Sequence, residues 1–175
     1  MNRIVKISAA ALAALAMLVI LPATMQAQNP DLSGTWAFNA DKSQMGQAPG
    51  GGRTGGRGGG RMGGGGDMTI TTEGNSISIT RTFQGREGPM ERVETYICDG
   101  EKHTQETGRG SSEYTAEWKD GVLHVSATMG FGDRTFTTTS TYTLKEEGKV
   151  LEVVSQMPGF QGGGTRTQTM VYDKK

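Results

Sequence analysis

From Ser33 to Lys175 the chain is cut into short runs rich in Thr, Val, Ile and aromatic residues, and the turns between them alternate in kind. Tight turns (Glu73-Gly74-Asn75, Asp99-Gly100, Lys119-Asp120-Gly121, Lys145 to Lys149) take every second position, and looser glycine-rich loops take the others. Gly or Asn supplies the positive φ that a two-residue or bulged hairpin turn needs. The runs alternate apolar and polar residues with period two and are expected as strands near 34–39, 67–73, 76–83, 90–98, 101–107, 111–119, 122–129, 134–144, 150–157 and 165–174. Such a meander has one plain end and one decorated end. An open sheet of this length would leave two edges exposed, and closure removes them, so the expected fold is an all-β, up-and-down antiparallel β-barrel of about eight to ten strands.

Ahead of the strands lies a different kind of sequence. Arg3 and Lys6 precede an apolar run from Ile7 to Leu21 and a small-residue region ending at Ala27, the pattern of a secretory signal peptide. The run is shorter than the roughly 20 residues a spanning helix needs. Residues 1–27 are therefore expected to be removed, with cleavage after Ala27 or Ala23, leaving 28–175 as a single barrel domain without a stable membrane anchor in the periplasm or outside the cell. Cys98 is the only cysteine, so no intramolecular disulfide is available, and at a strand end it is expected to be a small, half-buried hydrophobe.

The loose loops concentrate Gly, Arg and Met, and the meander gathers them on one rim. The longest, within 45–66, is a Gly/Arg-rich repeat with too little apolar surface to offset its ordering entropy, and disorder is expected there. Arg-Gly repeats occur in RNA-binding proteins, but of the 18 basic residues loss of Arg3 and Lys6 leaves fewer than the 18 acidic ones, with no basic excess. No nucleic-acid partner is expected.

Gly34-Thr35-Trp36 on the first strand, the long meander and the terminal Val171-Tyr172-Asp173-Lys174 resemble the calycins, the superfamily of lipocalins, avidins and fatty-acid-binding proteins. More closely, Leu32 to Trp36 followed by Asp41-Lys42-Ser43, a Gly-rich insert and Tyr96 to Glu101 resemble the small exported lipocalin-like proteins of bacteria. The resemblance implies a barrel that holds a small molecule, with Trp36 closing the floor near the plain end. Fatty-acid-binding proteins add an Arg-x-Tyr on the last strand; here Met170 stands before Tyr172 where the arginine would fall.

Catalytic and metal chemistry find little footing. Ser111, Ser112 and Ser140 lack a nucleophile signature, His103 and His124 stand alone, and no ligand spacing for zinc or calcium is present. No cofactor is expected, and the chain is expected not to be an enzyme. The expected function is binding of a small, mostly apolar molecule, with Phe38, Ile79, Tyr114, Tyr142 and Met170 as lining because they share the apolar faces. The alternative is a barrel packed shut that meets an envelope partner through its Gly/Arg-rich loops. An isomerase-like enzyme would require His103 or His124 to face inward.

Overall fold

The computed structural model describes residues 29–44, 66–84, 88–107, 110–131, 134–158 and 164–175. The expected signal peptide at 1–27 lies outside them, as does all of the 45–66 loop except Gly66. Ten strands follow in chain order: β1 (Gly34–Gln44), β2 (Met68–Glu73), β3 (Ser76–Gln84), β4 (Pro89–Ile97), β5 (Lys102–Thr107), β6 (Gly110–Lys119), β7 (Val122–Phe131), β8 (Arg134–Lys145), β9 (Val150–Pro158) and β10 (Thr165–Lys174). They form one antiparallel sheet in the order β4-β3-β2-β1-β10-β9-β8-β7-β6-β5. The first and last strands meet, Trp36 opposite Lys174 and Phe38 opposite Tyr172, which curls the sheet into a barrel.

Turn chemistry sets the register of the tight hairpins. At β6–β7 Asp120 and Gly121 both take positive φ (50° and 77°), the twist a two-residue hairpin requires, and Lys119 faces Val122 across it. Gly66 is needed for another reason. A Cβ there would fall 1.7 Å from the Thr82 carbonyl oxygen, so only glycine lets the chain enter β2 this close to β3.

Alternation along the strands sends one face inward. The buried set contains Trp36, Met68, Ile70, Ile77, Ile79, Tyr96, Tyr114, Ala116, Leu123, Val125, Tyr142, Leu151, Val153 and Tyr172. Full burial of each large aliphatic member contributes about 1.5–3 kcal/mol. Trp36 closes the plain end: it is fully buried, its Nε1 donates to the Leu32 carbonyl at 3.0 Å, and Lys174 Nζ lies 5.4 Å from the ring centroid. The outer wall is rich in Thr and Ser, and its lysines are paired there: Lys42 with Asp173, Lys102 with Glu113, Lys119 with Glu117, Lys145 with Glu152 and Lys175 with Asp67.

One expected hairpin is not formed. The Asp99-Gly100 turn joins β4 to β5, yet these strands do not pair and are the two edges of the sheet. The cause is where the turn docks. Gly100 N donates to the Ala116 carbonyl of β6 at 2.8 Å, while Tyr96 of β4 and Tyr114 of β6 meet edge-to-face at 5.1 Å, so aromatic bulk fills the seam at the plain end and β4 parts from β5. Cys98 N donates to Asn75 O on one side of β4 and Ile97 N to Tyr114 Oη on the other. By strand alternation, Glu91, Val93 and Thr95 turn their amides toward the free edge. That edge begins at Pro89 and carries Glu91, Arg92 and Glu94, which oppose pairing with another chain.

Candidate functional site

The barrel interior changes character along its axis. Near the plain end large apolar side chains fill it. Above them, Arg81 of β3 reaches across to β8, although β2, β1, β10 and β9 lie between those strands along the sheet. Its Nη2 donates to Tyr142 Oη at 2.9 Å and its Nη1 to Glu94 Oε2 on β4. Arg92 Nη2 lies 2.9 Å from the other Glu94 oxygen. Tyr172 lies against the same guanidinium, stacks edge-on to Phe38 at 5.7 Å and donates to Met170 Sδ at 3.5 Å.

Arg81 is thus a strut across the barrel. Burial disfavours its charge, but Tyr142 and Glu94, with Tyr172, outweigh that cost and raise its pKa above the ordinary guanidinium value. Burial, helped by the Glu94 charge, raises the Tyr96 pKa. Burial also raises that of Tyr172, against the pull of Arg81. A neutral phenol and a charged guanidinium are the forms this centre favours.

Beyond the strut, toward the loose loops, the inward row turns polar and soft. Ser140 and Ser155 bond to each other at 2.9 Å, Ser112, Ser155 and Gln168 are buried, and Thr138, Met129, Phe136 and Met157 are half-buried. Arg166 shares the inward face with Gln168, Met170 and Tyr172 and stands opposite Met157. Its Nε is completely shielded from solvent and has no hydrogen-bond partner among the described residues. Phe83 and Met90 face each other at the mouth and are substantially exposed.

All five residues expected as lining lie on the inward face, at different depths. Ile79 is fully buried, Tyr142 belongs to the strut, Phe38 and Met170 pack around Tyr172, and Tyr114 sits in the seam with its Oη on the Ile97 amide. Strand four also has a definite register, with Tyr96 inward. Missing from the expected set are Arg81, Glu94 and Arg166. A sign of the first two was present: Ile77-x-Ile79-x-Arg81-x-Phe83 and Arg92-x-Glu94-x-Tyr96 place charges in register with inward residues.

Two further features bear on function. His103 does face inward on β5: its ring stacks on Tyr114 at 5.4 Å and its Nε2 lies 2.9 and 3.0 Å from the two Asp99 oxygens. The His103 bond, then the Glu101 amide, holds the Asp99 carboxyl below the ordinary carboxylate value. This pair clasps the seam turn to β5. His124, opposite Thr141, belongs to the outer face. Two shallow depressions, about 260 and 200 Å³, lie on the outer wall and its rim, one bounded by Thr137, Thr139, Gln156 and Met157 and the other by Thr115, Glu117, His124 and Thr141. No group of His, Cys, Asp and Glu among the described residues is arranged to hold a metal ion.

No protein-family model matches the chain, and no curated protein does. Among solved structures it is similar to a secretary abundant heat soluble (SAHS) protein from Ramazzottius varieornatus, at 16% identity and a TM-score of 0.49, over 65% of this chain and 75% of that one.

Proposed function

We propose that this chain is an exported, non-enzymatic binding protein of the bacterial lipocalin-like kind, taking a small, mostly apolar molecule into the barrel from the loose-loop end. The observation that carries this reading is the change of interior across the Arg81–Tyr142 strut. Below it the side chains are shut together; above it Met129, Phe136, Thr138, Ser140 and Met157 are only half-buried, and the buried side chains there, Ser112, Ser155 and Gln168, are polar. A core that had only to hold the fold together would gain little from a polar crossbar. As the floor of a binding chamber, the crossbar lets the upper half empty and fill while the lower half keeps the barrel stable. Methionines suit such a wall, since the unbranched thioether adapts to guests of different shape. Burial of guest surface contributes about 25 cal/mol per Å² before ordering costs.

The test is a titration with N-phenyl-1-naphthylamine, a neutral apolar dye, read by fluorescence and by energy transfer from Trp36 and Trp118. Saturable binding is expected, weakened at least about tenfold by Thr138→Trp, which puts a large side chain on the inward face above the strut. A signal that rises linearly with dye, with or without that substitution, refutes the proposal. A second reading, the packed barrel that engages an envelope partner through its Gly/Arg-rich loops, draws support from the full burial of the lower interior. It predicts no dye binding and loss of the partner when the 45–66 loop is deleted.

A further inference from the structure

The charges of the barrel are sorted by type and by side. Every lysine pair named above lies on the outer wall, each with a carboxylate. The four arginines among the described residues hold inward positions, as does Lys174, whose Nζ lies over the Trp36 ring at the plain end. Arg81 and Arg92 stand opposite one another on β3 and β4, Arg134 has the same parity as Phe136 and Tyr142 on β8, and Arg166 the same parity as Tyr172 on β10. Against these four, Glu94 is the one carboxylate in an inward position of these strands, and Arg81 and Arg92 already share it.

Arg166 stands out from the rest. Its partner across the ladder is Met157, which cannot neutralise a guanidinium. Its Nε–H is buried with no acceptor among the described residues. An unmet buried donor on a charged group destabilises the fold, and the fork geometry of arginine matches two oxygens of one anion. A solvated arginine on the outer wall would have avoided that cost.

From this arrangement we infer that Arg166 is an oxyanion-binding residue: the guest carries a carboxylate, phosphate or sulfonate that lies against Arg166 near the mouth, with its apolar part directed down to the strut. This rests on the binding function proposed above and adds the chemical class of the guest. Arg92 and Arg134, also inward and near the open end, supply long-range attraction rather than contact, while Arg81 is already occupied by Glu94 and Tyr142. A hydrogen bond to a charged group is worth about 1.5–3 kcal/mol, which corresponds to a preference of about ten- to a hundredfold for an anionic guest over its neutral counterpart.

The experiment compares 8-anilinonaphthalene-1-sulfonate with N-phenyl-1-naphthylamine, which share one aromatic body and differ by the sulfonate. The sulfonate is expected to bind at least about tenfold tighter. Arg166→Met removes that preference, Arg166→Lys restores part of it, and the outer-wall control Lys102→Met leaves both affinities unchanged. Equal affinity for both dyes, or an Arg166→Met protein that keeps the preference, overturns the oxyanion assignment while leaving the binding function standing. Failure of both dyes to bind overturns both. Displacement by dodecanoate, dodecyl phosphate, dodecanol and inorganic phosphate then identifies the source. Displacement by the two amphiphiles but not by the alcohol or the free ion is expected, displacement by inorganic phosphate alone assigns the site to a free anion, and dodecanol competing as well as dodecanoate counts against the assignment.

Discussion

Glu94 holds Arg81 and Arg92 together and is itself only 13% exposed. Removing one partner of such a pair leaves the other charge in a poorly solvated place. Glu94→Gln is therefore expected to destabilise the protein by about 1–3 kcal/mol, below the range for fully buried pairs because Arg81 keeps 26% of its side chain exposed. Arg81→Met with Glu94→Gln should lose less than the two single changes combined, a coupling that denaturant unfolding of the four proteins measures. A double mutant whose loss equals the sum would show that the strut is not a unit.

At the level of the strands, the seam is the weak line of the structure. β4 is held on one side by β3 and on the other chiefly by what Tyr114 provides, a hydroxyl for the Ile97 amide and a ring for Tyr96. Tyr114→Phe keeps the ring and removes the hydroxyl. It is expected to cost about 1 kcal/mol and to speed amide exchange at Ile97 in particular, with the β8–β9 amides unchanged; uniform acceleration would mean that the seam does not open separately. The strands themselves were legible in the chain because turn residues and period-two alternation are local signals, and the β1–β10 closure followed from the need to remove edges. The unpaired β4 and β5 were not legible. Asp99-Gly100 has the composition of a hairpin turn, and its docking on Ala116 depends on a tyrosine contact between β4 and β6 that no local pattern encodes. The candidate site was readable in the same uneven way. The inward placement of Phe38, Ile79, Tyr114, Tyr142 and Met170 was readable from strand alternation, whereas Arg81 and Glu94 sit in apolar register as exceptions to that pattern.

For the whole molecule, pH bounds stability on both sides. Four carboxyls titrate below their ordinary 3.8: Asp99 through its His103 bond, Asp173 through Asn39 and then Lys42, Asp67 through Lys175, and Asp31 through Ser33. A lowered folded value contributes stability above the unfolded value, and this is lost as pH falls from 3.8 through the folded values. At the alkaline end the sign reverses. Burial, with the Asp99 charge, pushes the Cys98 thiol from 9.0 up to about 11, and burial raises Tyr96 and Tyr172 above 10.0, so their contribution is complete below 9.0 and is lost as pH rises through the folded values. Calorimetry across pH should give a plateau in Tm with a fall below 3.8 and another above 9.0, and Cys98→Ala should move the onset of the alkaline fall toward 10.0. An onset unmoved by that substitution would remove the thiol from the account.

The position of the unzipped joint has a consequence for connectivity. Lys175 N donates to the Thr35 carbonyl, so the end of β10 lies beside β1, and a short linker from Lys175 to the residues ahead of β1 followed by a cut at Asp99-Gly100 would yield a circular permutant. Its sequence order, β5 through β10 and then β1 through β4, would match the spatial order across the sheet. Every ladder in it would be a nearest-neighbour hairpin, and the natural chain's one end-to-end pairing would become local, which lowers contact order and speeds folding without altering a single strand contact.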